Sequence, residues 1–110
     1  MERNDGELRP LMNVDDVPEG EGKRVRIDDT YIALFKVDGK VYAINALCPH
    51  AGALLDMGWM EGHTVHCPMH GWDFDVRTGV SATFGERVAC YDIEVREGTI
   101  YLRGAACQGN

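Results

Sequence analysis

The sequence predicts an all-β domain, and three observations carry that expectation. Its apolar runs are short, glycine is frequent at 13 of 110 residues, and two-residue turn signals separate runs of strand-forming residues. Lys23 to Ile27 alternates polar with apolar, Asp28-Asp29-Thr30 offers a turn, and Tyr31 to Val37 is rich in β-branched and aromatic residues. These two runs make a hairpin. Asp38-Gly39 then separates Val37 from Val41-Tyr42-Ala43-Ile44, the strongest short-range hairpin signal available, which adds a third strand. Near the other end, Arg87 to Val95 alternates, and Glu97-Gly98 leads into Thr99-Ile100-Tyr101-Leu102 as a second hairpin. Residues 1 to 7 and Gln108-Gly109-Asn110 read as loose ends.

At 110 residues the chain has room for one core only, so residues 1–110 are expected to form a single domain. Hydrophobic residues make up 45% and charged residues 26%, the balance of a globular protein rather than a disordered one. The formal charge of −7 would repel phosphate backbones, which argues against nucleic acid as a partner. No stretch of about 18 apolar residues is present, and Met1-Glu2-Arg3-Asn4-Asp5 is polar with no hydrophobic signal region behind it. A soluble cytoplasmic protein without a membrane partner is the expectation.

The segment of about residues 45–85 differs in texture. It holds all four histidines, both tryptophans, Pro49, Pro68 and two of the four cysteines. Cys48-x-His50 is followed, after sixteen residues, by Cys67-x-x-His70. Each loop offers one thiolate and one imidazole, and a Rieske [2Fe-2S] centre takes two of each, because two histidines replace two cysteines on one of its irons. Proline after each cysteine stiffens the loop and withholds an amide, while Gly52 and Gly71 permit tight curvature. Two Cys and two His also make a tetrahedral zinc set, so a zinc-stabilised interaction module is the alternative. Zinc pairs usually leave two or more residues between ligands, whereas Cys48 and His50 leave one.

With Cys48-Pro49-His50, Cys67-Pro68-Met69-His70-Gly71-Trp72 and Phe74-Asp75-Val76-Arg77-Thr78-Gly79, the chain resembles the Rieske ferredoxins of bacterial dioxygenase systems, from the strands near Leu11 to the last strand near Leu102. The resemblance implies a Rieske-like fold of three antiparallel sheets, with the cluster at the tip of a small subdomain. It also implies that Cys48 and Cys67 bind the buried iron, and His50 and His70 the outer one. High-potential Rieske proteins of respiratory complexes add a disulfide between the loops, where this chain has Ala53 and Met69, and a hydroxyl donor after the second loop, where it has Gly71-Trp72. Fewer hydrogen bonds to the cluster sulfurs leave the reduced state less stabilised, so the potential is expected toward the low end of the Rieske range, about −150 mV. Residues 80 to 90 lack the proline that dioxygenase-type ferredoxins tend to show near the cluster.

By this resemblance the protein is an electron carrier rather than an enzyme, monomeric, passing single electrons from a reductase, a flavoprotein, to a terminal oxygenase. The alternative of a different class is a Rieske-like small subunit of a nitrite reductase. Among the remaining residues, His63 and His66 read as solvated or structural, with His66 facing away from whatever Cys67 faces. Cys90 reads as a small core residue and Cys107 as an exposed thiol, neither with a partner at ligand spacing. Met57, Trp59, Met60, Met69 and Trp72 crowd the loops; Met69 suits a docking face and Trp72 suits core packing. Asp73 and Asp75 share a face along a strand from Trp72 to Val76, but with His50 and His70 committed to the cluster and His63 and His66 read as solvated or structural, no set of two histidines and a carboxylate is expected for an oxygen-activating iron. No glycine-rich dinucleotide fingerprint occurs either.

Overall fold

The computed structural model describes residues 8–49, 52–69 and 71–105. Among them nine strands occur, and every ladder is antiparallel: β1 (Arg9–Asn13), β2 (Gly22–Ile27), β3 (Thr30–Val37), β4 (Lys40–Asn45), β5 (Trp59–Glu61), β6 (Thr64–His66), β7 (Asp73–Asp75), β8 (Cys90–Arg96) and β9 (Thr99–Ala105). No described helix is long and apolar enough to cross a membrane.

The strands hydrogen-bond in the orders β1-β9-β8-β4-β3-β2 and β5-β6-β7. The larger sheet is itself two three-stranded layers joined by the short ladder Ala43↔Tyr91 and Ile44↔Cys90. The three sheets expected from the resemblance are thus three layers of three strands, two of them fused at the β4–β8 seam. An ion pair from Arg9 on β1 to Asp28 in the turn after β2, at 2.9 Å, ties the two edges of the fused sheet together.

The hairpin turns behave as their residues dictate. Asp38 and Gly39 have φ of 55° and 80°, and Glu97 and Gly98 have 50° and 82°. Positive φ at both central positions is the type I′ geometry whose twist matches that of the flanking strands. Between the turns, β3 is buried on both faces. Ile32 and Leu34 enter one core with Val17, Val41, Ala43 and Ile100, whereas Ala33, Phe35 and Val37 enter a second with Ile44, Leu55, Val65, Phe74 and Val76. A strand buried on both sides has no reason to alternate, which accounts for the unbroken apolar run in this part of the sequence.

Two boundaries depart from expectation. The alternation beginning at Arg87 becomes strand only from Cys90, because residues 87–89 return from the small sheet: Arg87 bridges to Val80, and the Val88 amide donates to the Gly79 carbonyl at 2.8 Å. The run from Trp72 to Val76 is strand only over Asp73–Asp75.

Candidate cluster site

β4 and β6 each run out into a short loop that opens with a cysteine, and the two loops share one hydrogen-bond plan. The Cys48 amide donates to the Ala53 carbonyl at 2.8 Å, and the Gly52 amide donates back to the Cys48 carbonyl at 2.7 Å. The Cys67 amide donates to the Trp72 carbonyl at 2.8 Å, and the Gly71 amide donates back to the Cys67 carbonyl at 2.8 Å. Closing each loop takes a residue with positive φ four places after the cysteine, and Gly52 (69°) and Gly71 (75°) supply it. The base of the first loop is pinned by the Leu55 amide on the Ala46 carbonyl at 2.7 Å. The base of the second is the β6–β7 pair His66↔Asp73.

Both cysteines are thiols rather than disulfides, and both are buried, Cys48 to 1% exposure and Cys67 to 0%. They belong to the same core, with Ala46, Leu55, Val65 and Phe74. His50 and His70, the other two expected ligands, lie outside the described residues, as does Cys107. Among the described residues no group of three His, Cys, Asp or Glu side chains is gathered for a metal. What is described fits the expected cofactor: soft sulfur donors, shielded from water, are presented by two loops of one geometry inside an apolar shell.

Around the second loop the side chains are knitted together. His66 lies across the ladder from Trp59, and the two rings stack with centroids 5.1 Å apart and planes 13° apart. Its Nε2 lies 3.0 Å from Glu61 Oε1 and its Nδ1 lies 3.2 Å from the Gly71 carbonyl oxygen. Strand alternation is obeyed, since Val65 is fully buried while His66 is on the half-buried opposite face. The contact with Gly71 is what the sequence did not reveal. Trp72 packs against the core, as expected, and stacks on exposed Phe84 with centroids 4.2 Å apart.

The two aspartates of β7 have structural partners. Burial pushes Asp73 up, but hydrogen bonds from Ser81, whose Oγ lies 2.9 Å from Oδ1, and from Thr83 outweigh it and leave the carboxyl below its usual range. Asp75 is held low chiefly by the Arg77 side chain, whose Nη2 and Nε lie 2.8 and 3.0 Å from its two carboxylate oxygens. Carboxylates held ionised by such partners suit loop construction, not proton transfer. His63 stands edge-on to Tyr42, with ring centroids 5.6 Å apart. Cys90 is buried, as expected of a small core residue, and it is also disulfide-bonded, which that reading did not include.

An all-β fold carrying two matched loops, each burying a thiol, defines a small protein built to hold a thiolate-ligated metal centre. The model of the Rieske [2Fe-2S] domain matches residues 7–102, and the chain belongs to that family. The ferredoxin component of the naphthalene 1,2-dioxygenase/salicylate 5-hydroxylase systems of Ralstonia sp is 33% identical over 92 residues, covering 82% of this chain and 88% of that one. The 3-phenylpropionate/cinnamic acid dioxygenase ferredoxin subunit of Escherichia coli (strain K12) is 38% identical over 92 residues, covering 81% and 86%. Among solved structures, the ferredoxin of carbazole 1,9a-dioxygenase from Nocardioides aromaticivorans IC177 superimposes with a TM-score of 0.80 at 30% identity, covering 86% of this chain and 95% of that one. Membership of this family sets aside the zinc alternative.

Proposed function

We propose that this chain is a one-electron carrier of the dioxygenase-ferredoxin type, accepting electrons from a reductase, a flavoprotein, and delivering them to a terminal oxygenase. The observation that carries the reading is the pair of twinned loops, each burying one thiol, in a chain that aligns over most of its length with ferredoxin components. Cys48 and Cys67 hold the cluster from the protein side, and His50 and His70 complete the ligand set on the outer side. When bound, a Rieske cluster supplies reversible storage of one electron. The protein's part is to exclude water from the sulfur ligands, which Ala46, Leu55, Val65 and Phe74 do, and to offer partners a surface near the loops.

That surface is apolar. Leu47 precedes the first cysteine, Met69 lies within the second loop, and Met57, Trp59 and Phe84 lie nearby in the chain or stack on loop neighbours; all five are exposed. A small exposed apolar face suits a brief encounter rather than a permanent complex. The net charge of −7 favours partners that present a basic rim around it. Residues 1–110 act as one domain and one monomer in the cytoplasm, with about residues 45–85 as the cluster-binding part. The low-end potential, about −150 mV, suits a carrier fed by a flavoprotein.

Anaerobically purified protein is expected to contain iron and acid-labile sulfide in equal amounts and, once reduced, to give a rhombic EPR signal averaging below the free-electron g value. A colourless protein holding zinc, or iron without sulfide, would overturn the reading.

A further inference from the structure

Gly71 follows His70 directly in the chain, and both of its backbone polar groups are held. Its amide donates to the Cys67 carbonyl at 2.8 Å, while its carbonyl oxygen lies 3.2 Å from His66 Nδ1. With φ at +75°, Gly71 adopts a backbone geometry that needs such support, and a carbonyl near the protein surface would otherwise turn to water. The His66 ring has little freedom of its own. One face is stacked on Trp59, and its far nitrogen is 3.0 Å from Glu61 Oε1. Trp59 also reaches Gly71, since its Cη2 lies 3.9 Å from the place a Cβ there would take.

We propose that His66 is a positioning residue for the cluster. Held by its stack on Trp59, it donates its Nδ1–H to the Gly71 carbonyl and so fixes the backbone on which His70 is presented. The inference rests on the reading of His70 as a ligand. It makes β5 and β6 a bracket for the second loop, with Trp59 orienting a side chain that never meets the iron itself. Outer groups that orient metal ligands typically change metal retention or activity by about 10–100-fold when removed. Mere packing of a surface ring would have no such effect on the cluster.

Two substitutions separate clamping from packing. His66→Phe keeps an aromatic ring against Trp59 but brings no nitrogen to Gly71. His66→Asn loses the stack but keeps an N–H near the position of Nδ1. In the cluster-loaded proteins, the readouts are iron transfer to a ferrous chelator, the EPR g values of the reduced state, and the thermal unfolding midpoint.

The expected result is iron loss about tenfold faster and altered g values in His66→Phe with little change in its unfolding midpoint, while His66→Asn stays close to wild type in both cluster readouts. The inference is overturned if His66→Phe matches wild type in iron loss and g values, or if His66→Asn is as impaired as His66→Phe. Should His66→Phe fold without loading a cluster, a loaded His66→Asn supports the clamp and an empty one overturns it. A wild-type protein with no Rieske signal would instead fail the ligand reading itself, before either variant is compared.

Discussion

A Cβ placed on Gly58 would stand 1.8 Å from the carbonyl oxygen of His66, so the turn entering β5 is pressed directly onto the strand that leads to the second cysteine loop. The φ of Gly58 is −83°, which any residue adopts; close approach is what requires glycine here. Gly52 presents the opposite case, with φ at +69° and, among the described residues, nothing within 4 Å of the place an added methyl would take. Gly58→Ala is therefore expected to pry the turn from β6 and cost about 3 kcal/mol. Gly52→Ala meets only backbone strain, about 1–2 kcal/mol. Urea unfolding of both variants checks the order, and a Gly52→Ala midpoint below that of Gly58→Ala would contradict it.

The two thiols sit in only one of the two cores. Neither Cys48 nor Cys67 packs in the group formed by Val17, Ile32, Leu34, Val41, Ala43 and Ile100, which fills the space between the two fused layers. Cys48→Ser and Cys67→Ser should each abolish stable cluster binding, because a serine hydroxyl does not replace a thiolate as a soft ligand. The β-sheet signal should survive, with a loss of about 1–3 kcal/mol for burying the hydroxyl. Iron and sulfide analysis beside far-ultraviolet circular dichroism tests this. Full retention of iron and sulfide in either variant would remove that cysteine from the ligand set.

How far the sequence reveals the structure depends on the range of the contacts. The hairpins β2–β3, β3–β4 and β8–β9 are legible because Asp28-Asp29, Asp38-Gly39 and Glu97-Gly98 set their register locally, as the pairs Ile27↔Thr30, Val37↔Lys40 and Arg96↔Thr99 show. The pairing of β1 with β9, Arg9 opposite Leu102, joins the two ends of the chain, and no local pattern announces it. The strands β5, β6 and β7 have three residues each, too short for a period to emerge. At the site, the Cys-Pro echo marks both loops, and their common hydrogen-bond plan is its structural counterpart. Alternation assigns His66 to a face, but its bond to Gly71 depends on the loop curling back beside its own strand. Burial of Cys90 follows from its place in an alternating run, while its disulfide does not, since pairing is not written in spacing.

The Asp75–Arg77 pair ties acid stability to a particular turn. Asp75 accepts from the Arg77 backbone amide at 2.8 Å as well as from its guanidinium, and its own carbonyl receives the Gly79 amide at 2.6 Å, so the carboxylate stands at the hub of the turn after β7. The Arg77 hydrogen bond is the largest influence on this carboxyl and lowers its pKa below the ordinary 3.8, against a smaller opposing effect of burial. A depressed folded-state pKa contributes stability that is fully present above the unfolded value and is lost as the pH falls through the folded one. Asp75→Asn should then be less stable than wild type at neutral pH, by about 1 kcal/mol after allowance for solvent around the guanidinium. The gap should close as the solution is acidified below about pH 4, where the wild-type carboxylate also takes up its proton. Urea titrations of both proteins at stepped pH measure the gap. If it stays constant down to the acid limit, the contribution of Asp75 comes from its shape and not from its charge.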